Sequence, residues 1–175
     1  MGKVIAVTNQ KGGVGKTTSC VNIACSLAHL NRRILMIDLD PQANATMGSG
    51  TNKQTVKITV YHVLLGDESI QTARIVSAQG KYDLLPANRD LAGAEVEMVD
   101  FSQREARLKA AIEPIQHEYD YILIDCPPAL NLLTLNGLCA AQAVMIPMQC
   151  EYYALEGLSD LVNTIKKVRS NFNPD

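Results

Sequence analysis

"VTNQKGGVGKTTSCVNIACSLA", residues 7–28, joins an apolar run to an amphipathic one through a glycine-rich turn. The phosphate-loop pattern G-x-x-x-x-G-K-[ST] places one glycine five residues before the glycine of Gly-Lys. Here Gly15 is that second glycine, position 10 holds Gln10, and an additional lysine, Lys11, lies inside the loop. The stretch is either a turn that binds nothing or a phosphate loop with an extra task. Its context favours the loop. The strand-like "VIAVT" (4–8) precedes it and the helical "KTTSCVNIACSLA" follows, which is the strand–loop–helix setting that phosphate binding requires. Gly12, Gly13 and Gly15 let the backbone around Val14 curl so that N–H groups face phosphate oxygens. The helix starting near Lys16 adds its positive pole, across Thr17 and Thr18. Lys16 is placed to neutralise the terminal phosphates, and the Thr17 hydroxyl to hold Mg²⁺. A nucleotide site is the expectation.

Two carboxylate signals accompany the loop. "ILMIDLDPQANAT" sets Asp38 and Asp40 just past a buried strand, at the edge where a parallel sheet opens its ligand crevice. The alternative is a pair that only caps the following turn, because Asp-Pro often starts turns. "YDYILIDCPP" ends four hydrophobic residues on Asp125, where an acid can hold a magnesium-bound water. Pro127 and Pro128 stiffen the segment after it. His29, His62 and His117 have no partner pattern and read as structural.

The remaining chain supplies a frame for these motifs. "ILMID" (34–38), "YDLLP" (82–86), "YILID" (121–125) and "AVMIP" (143–147) are apolar throughout, as strands covered on both faces are. Helical patterns fall at about 16–30, 59–65, 91–98, 102–117, 130–140 and 154–170, and 47–58 reads as loop. The order predicts an α/β fold: a doubly wound, mostly parallel sheet with helices on both faces. Leu155, Leu158, Leu161, Val162, Ile165 and Val168 form a stripe on the last helix. Lys166, Lys167 and Arg169 at its end read first as dipole-matched charges and second as a DNA patch.

With 175 residues, 47% hydrophobic and 19% charged, one globular domain is expected. The net charge of −2 gives no global attraction to nucleic acid or anionic membrane. No apolar run approaches the roughly 18 residues of a membrane span, and "MGKVIAV" fits no signal peptide. Cys20, Cys25, Cys126, Cys139 and Cys150 form no C-x-x-C and are expected as small buried core residues.

"KGGVGKTT" resembles the deviant phosphate loop, xKGGxGK[ST], of the ParA/Soj/MinD-type ATPases. That resemblance implies ATP and Mg²⁺ as cofactors, with residues 11–18 on the nucleotide. It implies that Lys11 reaches the partner's phosphates across an ATP-dependent homodimer. Asp40 would orient or activate the attacking water, and Asp38 would support the magnesium shell or Lys16 from behind. Thr17, Asp40 and Asp125 would surround the metal. "DLDPQANAT" resembles the partition branch pattern D-x-D-P-Q-x-N-x-T, and "QCEYYALEGL" (149–158) resembles that branch near its dimer interface. Implied partners are a centromere-binding ParB-type protein and nonspecific DNA, without membrane, at a cytoplasmic, nucleoid-associated location. Similarity runs from Lys3 to about Arg169. The chain reads as one P-loop ATPase domain, 1–175, without its C-terminal part, since "NFNPD" ends where a further strand is expected. Adenine and DNA contacts would then lie beyond residue 175. The alternatives are a MinD-like membrane-cycling ATPase and a nucleotide-binding module without turnover.

Overall fold

The computed structural model describes residues 1–150 and 154–173, with side chains of the last helix from Gly157 onward. Its six strands are β1 (Lys3–Val7), β2 (Ile34–Asp38), β3 (Ile75–Val76), β4 (Asp83–Leu85), β5 (Tyr121–Asp125) and β6 (Ala143–Met145). They form one sheet in the order β3-β4-β2-β5-β1-β6, parallel except for the antiparallel β3.

Among the described residues eight α-helices surround it: α1 (Lys16–His29), α2 (Asn44–Gly48), α3 (Val60–Leu65), α4 (Ile70–Ala73), α5 (Leu91–Glu97), α6 (Arg107–Ile112), α7 (Leu132–Ala140) and α8 (Ala154–Asn171). Alternate strand residues enter two cores, because successive side chains point to opposite faces. Leu35, Ile37, Ile122 and Ile124 pack with residues of α3 to α8, whereas Ile34, Met36 and Leu123 pack with α1 and α2. Every residue of β2 is buried, which is why it reads as an unbroken apolar run. The doubly wound expectation therefore holds.

Several expected elements shift. The stretch 102–117 is not one helix: a 3₁₀ turn (Arg104–Ala106), α6 and a second 3₁₀ segment (Glu113–Glu118) replace it. Pro114 lacks an N–H and crowds the preceding turn, so it belongs at the start of the new segment. The start of the expected loop 47–58 is instead the end of α2. The short β3 and α4 carried no periodic signal. Leu161 and Val168 of the α8 stripe are buried, and Lys166, Lys167 and Arg169 are exposed. The side chain of Leu155 lies outside the described residues, as does the 151–153 part of "QCEYYALEGL". Cys20, Cys126 and Cys139 are buried, but Cys150 is exposed, contrary to its expected place in the core.

The turn between β3 and β4 is tied to α2. Ser77 Oγ donates to the Ser49 carbonyl (2.9 Å), and Ser49 Oγ lies 2.8 Å from the Tyr82 hydroxyl. A Cβ on Gly80 would overlap the Tyr82 ring, with Cδ1 at 2.6 Å, and Tyr82 is only 3% exposed. Gly80→Ala should lower stability by about 1–3 kcal/mol, as overpacked cores do. Urea midpoints at unchanged slope are the check, and an unshifted midpoint would show that the ring moves freely.

Candidate functional site

β2, β5 and β1 are neighbours, and their C-terminal ends are level: Val7 pairs with Asp125, and Asp125 with Asp38. Hydrogen bonds continue past the strand ends, from Thr8 N to Met145 O, Leu39 N to Asp125 O and Cys126 N to Val7 O. Three loops that lie far apart in sequence are thereby brought to one edge, where α/β sheets bind ligands.

The loop after β1 is built from within. Asn9 Oδ1 accepts from Lys11 N (3.0 Å), and Asn9 Nδ2 donates to Pro147 O (2.8 Å). Gly13 and Gly15 adopt left-handed φ of 74° and 89°, which glycine takes at no steric cost. Gly12 has neither a positive φ nor a neighbour within 4 Å of an added Cβ, so it leaves bare backbone facing open space. Gly15 caps α1 without a side-chain acceptor, which keeps the first N–H groups of the helix available to an anion.

Lys16 is 8% exposed and donates from Nζ to Lys11 O (2.9 Å). Burial lowers its pKa, and Asp125 and Asp40 pull it back up. Thr17 Oγ1 donates to Asp125 Oδ2 (2.7 Å). The other oxygen, Asp125 Oδ1, is buried with no hydrogen-bond partner among the described residues. Burial pushes the Asp125 carboxyl up to about 7, with Asp38 and Asp40 adding to the rise against the Thr17 bond and Lys16. A hydroxyl next to an orphaned acidic oxygen is a donor set that fits a hard divalent cation and its water shell.

A cavity of about 420 Å³ is lined by Gly12, Gly13, Gly15, Lys16, Thr17, Thr18, Asp40, Asn44 and Pro128. The expected residues Gly12, Gly13, Gly15, Lys16, Thr17, Thr18 and Asp40 thus share one mouth. Val14 is buried, and Asp125 reaches the mouth through Thr17. Lys11 is half-buried, holding the loop through its backbone N–H and carbonyl. Of the two roles expected for Asp38, support of Lys16 finds no bond among the described residues. Its oxygens accept from Thr46 N (2.7 Å), Thr46 Oγ1 (2.7 Å) and Asp40 N (3.2 Å), so it faces the following loop instead of Lys16. The sequence reading touched Asn44, Thr46 and Pro128 only as parts of "DLDPQANAT" and of the proline pair after Asp125, and gave none of them a place in the site. The "NAT" of the quoted motif was the only signal for Thr46.

A family model described as "AAA domain" matches residues 2–175. The chain is 51% identical over 175 residues to the sporulation initiation inhibitor protein Soj of Bacillus subtilis, covering 100% of this chain and 69% of that protein. The chain belongs to the ParA/Soj family. Another relative of this ParA/Soj chain is the chromosome partitioning protein ParA of Myxococcus xanthus, 52% identical, of which it spans 62%. The chain thus covers about two thirds of the curated relatives it matches. Among solved structures it superposes on Mycobacterium smegmatis cobyrinic acid a,c-diamide synthase, bound to an ATP analogue and magnesium. There the TM-score is 0.96 at 43% identity, over 100% of this chain and 71% of that one.

Burial raises Asp38 to about 6 and Asp125 to about 7, from an ordinary 3.8. The folded ParA/Soj chain therefore holds these protons more tightly than the unfolded chain does. For these groups, stability is fullest below the unfolded pKa and is lost as pH rises toward the folded values. The ligand-free protein should thus resist urea less well at about pH 8 than at about pH 5. In Asp125→Asn the difference should shrink; an unchanged difference would mean the Asp125 carboxylate is well solvated.

Proposed function

We propose that this chain is the nucleotide-binding part of an ATP-driven dimerisation switch for DNA partition. The observation that carries this reading is the shared mouth of the loop residues and Asp40, with Asp125 held behind Thr17. The name of the ParA relative supplies the partition role. In this reading residues 1–175 form a single P-loop domain.

The bare N–H groups of the loop and of the start of α1 hold the phosphates of ATP, and Lys16 neutralises their terminal charge. Magnesium would be held by Thr17, with Asp40 and Asp125 on its water shell, and would neutralise phosphate charge when bound. Asp40 orients the attacking water. Lys11 of each subunit reaches the partner's phosphates, so that charge stabilisation is complete only in the dimer. The ATP-bound dimer binds DNA without sequence preference, and a ParB-type partner stimulates slow hydrolysis and release. The protein works in the cytoplasm on the nucleoid. No helix among the described residues is long and apolar enough to cross a membrane.

The mycobacterial likeness favours a second reading, ATP-dependent amide formation. Turnover would then require a carboxylate acceptor and a nitrogen donor, whereas the partition switch hydrolyses ATP with water alone. Phosphate release in buffer with Mg-ATP, with and without DNA, separates the two.

Lys16→Ala should weaken ATP binding by roughly 100-fold, the loss of a charge-assisted contact. Equal affinity in isothermal titration would remove the loop from nucleotide binding. Lys11→Ala should still bind ATP but remain monomeric by light scattering in Mg-ATP. In the same measurement Asp40→Ala should accumulate as a dimer in Mg-ATP and not in Mg-ADP. A Lys11→Ala dimer would refute the cross-interface role.

A further inference from the structure

Between β2 and the body of α2 the chain makes a partly exposed arch over a buried fastening. Gln42 and Asn44 are exposed and Asp40 is half-buried, while Asp38, Thr46 and Ala87 are each 0% exposed. Asp38 grips both feet of the arch. One oxygen takes Asp40 N (3.2 Å), and the other takes Thr46 N and Thr46 Oγ1 (both 2.7 Å). Thr46 Oγ1 also accepts from Ala87 N (2.9 Å), just past β4, which anchors the fastening to the sheet.

The arch itself is strained. Ala43 has a left-handed φ of 54° and closes a turn by donating to Asp40 O (2.8 Å). A residue with a Cβ pays a penalty in that region and keeps it only where its surroundings enforce it. Asp38 and Thr46 hold the two ends of the arch, Lys53 Nζ donates to Gln42 O at its crown (2.6 Å), and the arch carries Asp40 and Asn44 into the phosphate-loop cavity.

We propose that Asp38 and Thr46 are positioning residues that clamp the 40–45 arch and so fix Asp40 over the phosphate loop. The catalytic consequence rests on the role given to Asp40 above; the clamp itself does not. Thr46→Val keeps the shape and the backbone N–H bond to Asp38, but removes the hydroxyl donor to Asp38 and the acceptor for Ala87. Thr46→Ser keeps both. Asp38→Asn keeps the shape but replaces one acceptor with a donor.

Two readouts test this, comparing wild type, Thr46→Val, Thr46→Ser, Asp38→Asn and Asp40→Ala. In hydrogen exchange, amides of 40–45 should exchange roughly 10-fold faster or more in Thr46→Val and Asp38→Asn. Amides of 12–18 should be unchanged, and Thr46→Ser should match wild type. In ATP turnover, Thr46→Val should lose about 10- to 100-fold in kcat with KM held within about 3-fold, and Thr46→Ser should recover it. Wild-type exchange in Thr46→Val overturns the clamp. Equal loss in Thr46→Val and Thr46→Ser also overturns it, since packing volume would then be the cause. Normal turnover in Asp40→Ala overturns the catalytic reading of Asp40 alone and leaves the clamp to be judged by exchange, which needs no turnover.

Discussion

The level ends of three adjacent parallel strands are the constraint on which the site depends. Val7, Asp125 and Asp38 stand in register, and the hydrogen bonds Cys126 N to Val7 O and Leu39 N to Asp125 O extend that register into the loops. A parallel ladder is pinned by side-chain alternation, so a one-residue slip of β5 would turn Leu123 toward the opposite core. It would also carry Asp125 off the Thr17 hydroxyl. Packing on both faces of the sheet therefore sets the geometry of the polar edge. The chemistry borrows its precision from the apolar cores.

That edge concentrates charge where water is scarce. Asp38 and Asp125 are almost fully buried, and Lys16, in the field of Asp125, is nearly so. Each carboxylate loses hydration, and charge adds to this: Asp40 raises both, and Asp38 raises Asp125 further. Asp38 offsets its burial with three donors; Asp125 has Thr17 and an oxygen left without a partner. The two acids are thus unequal. The satisfied one fastens a loop, and the unsatisfied one lies one hydroxyl away from the cavity.

Much of this was legible in the sequence, for identifiable reasons. β2 and β5 could be read because strands covered on both faces show as unbroken apolar runs. The phosphate loop could be read because its requirements are local: glycines, a lysine and a helix start. What stayed hidden depends on distant partners. Thr46 matters through Asp38 and Ala87, one of them 41 positions away, and no local pattern encodes that bond. The left-handed Ala43 is invisible for the same reason, since alanine carries no signal for positive φ. The break in 102–117 is marked locally by Pro114, which sits at the start of the second 3₁₀ segment.

The two lysines of the loop occupy different mechanical situations. Lys16 turns its ammonium inward onto the carbonyl of Lys11, at 2.9 Å, within the field of Asp125 and Asp40. Lys11 is held at both faces of its backbone, its N–H by Asn9 Oδ1 and its carbonyl by that same ammonium. Asn9 is in turn fastened to Pro147 O beyond β6, so the Cα of Lys11 is referenced to the sheet edge rather than to a free loop. A long side chain projected from such a platform loses less freedom on engaging a charge than one projected from a mobile turn. Gln10 fits this frame: a residue with a Cβ at that position meets no backbone strain, because the left-handed turns fall at Gly13 and Gly15 instead.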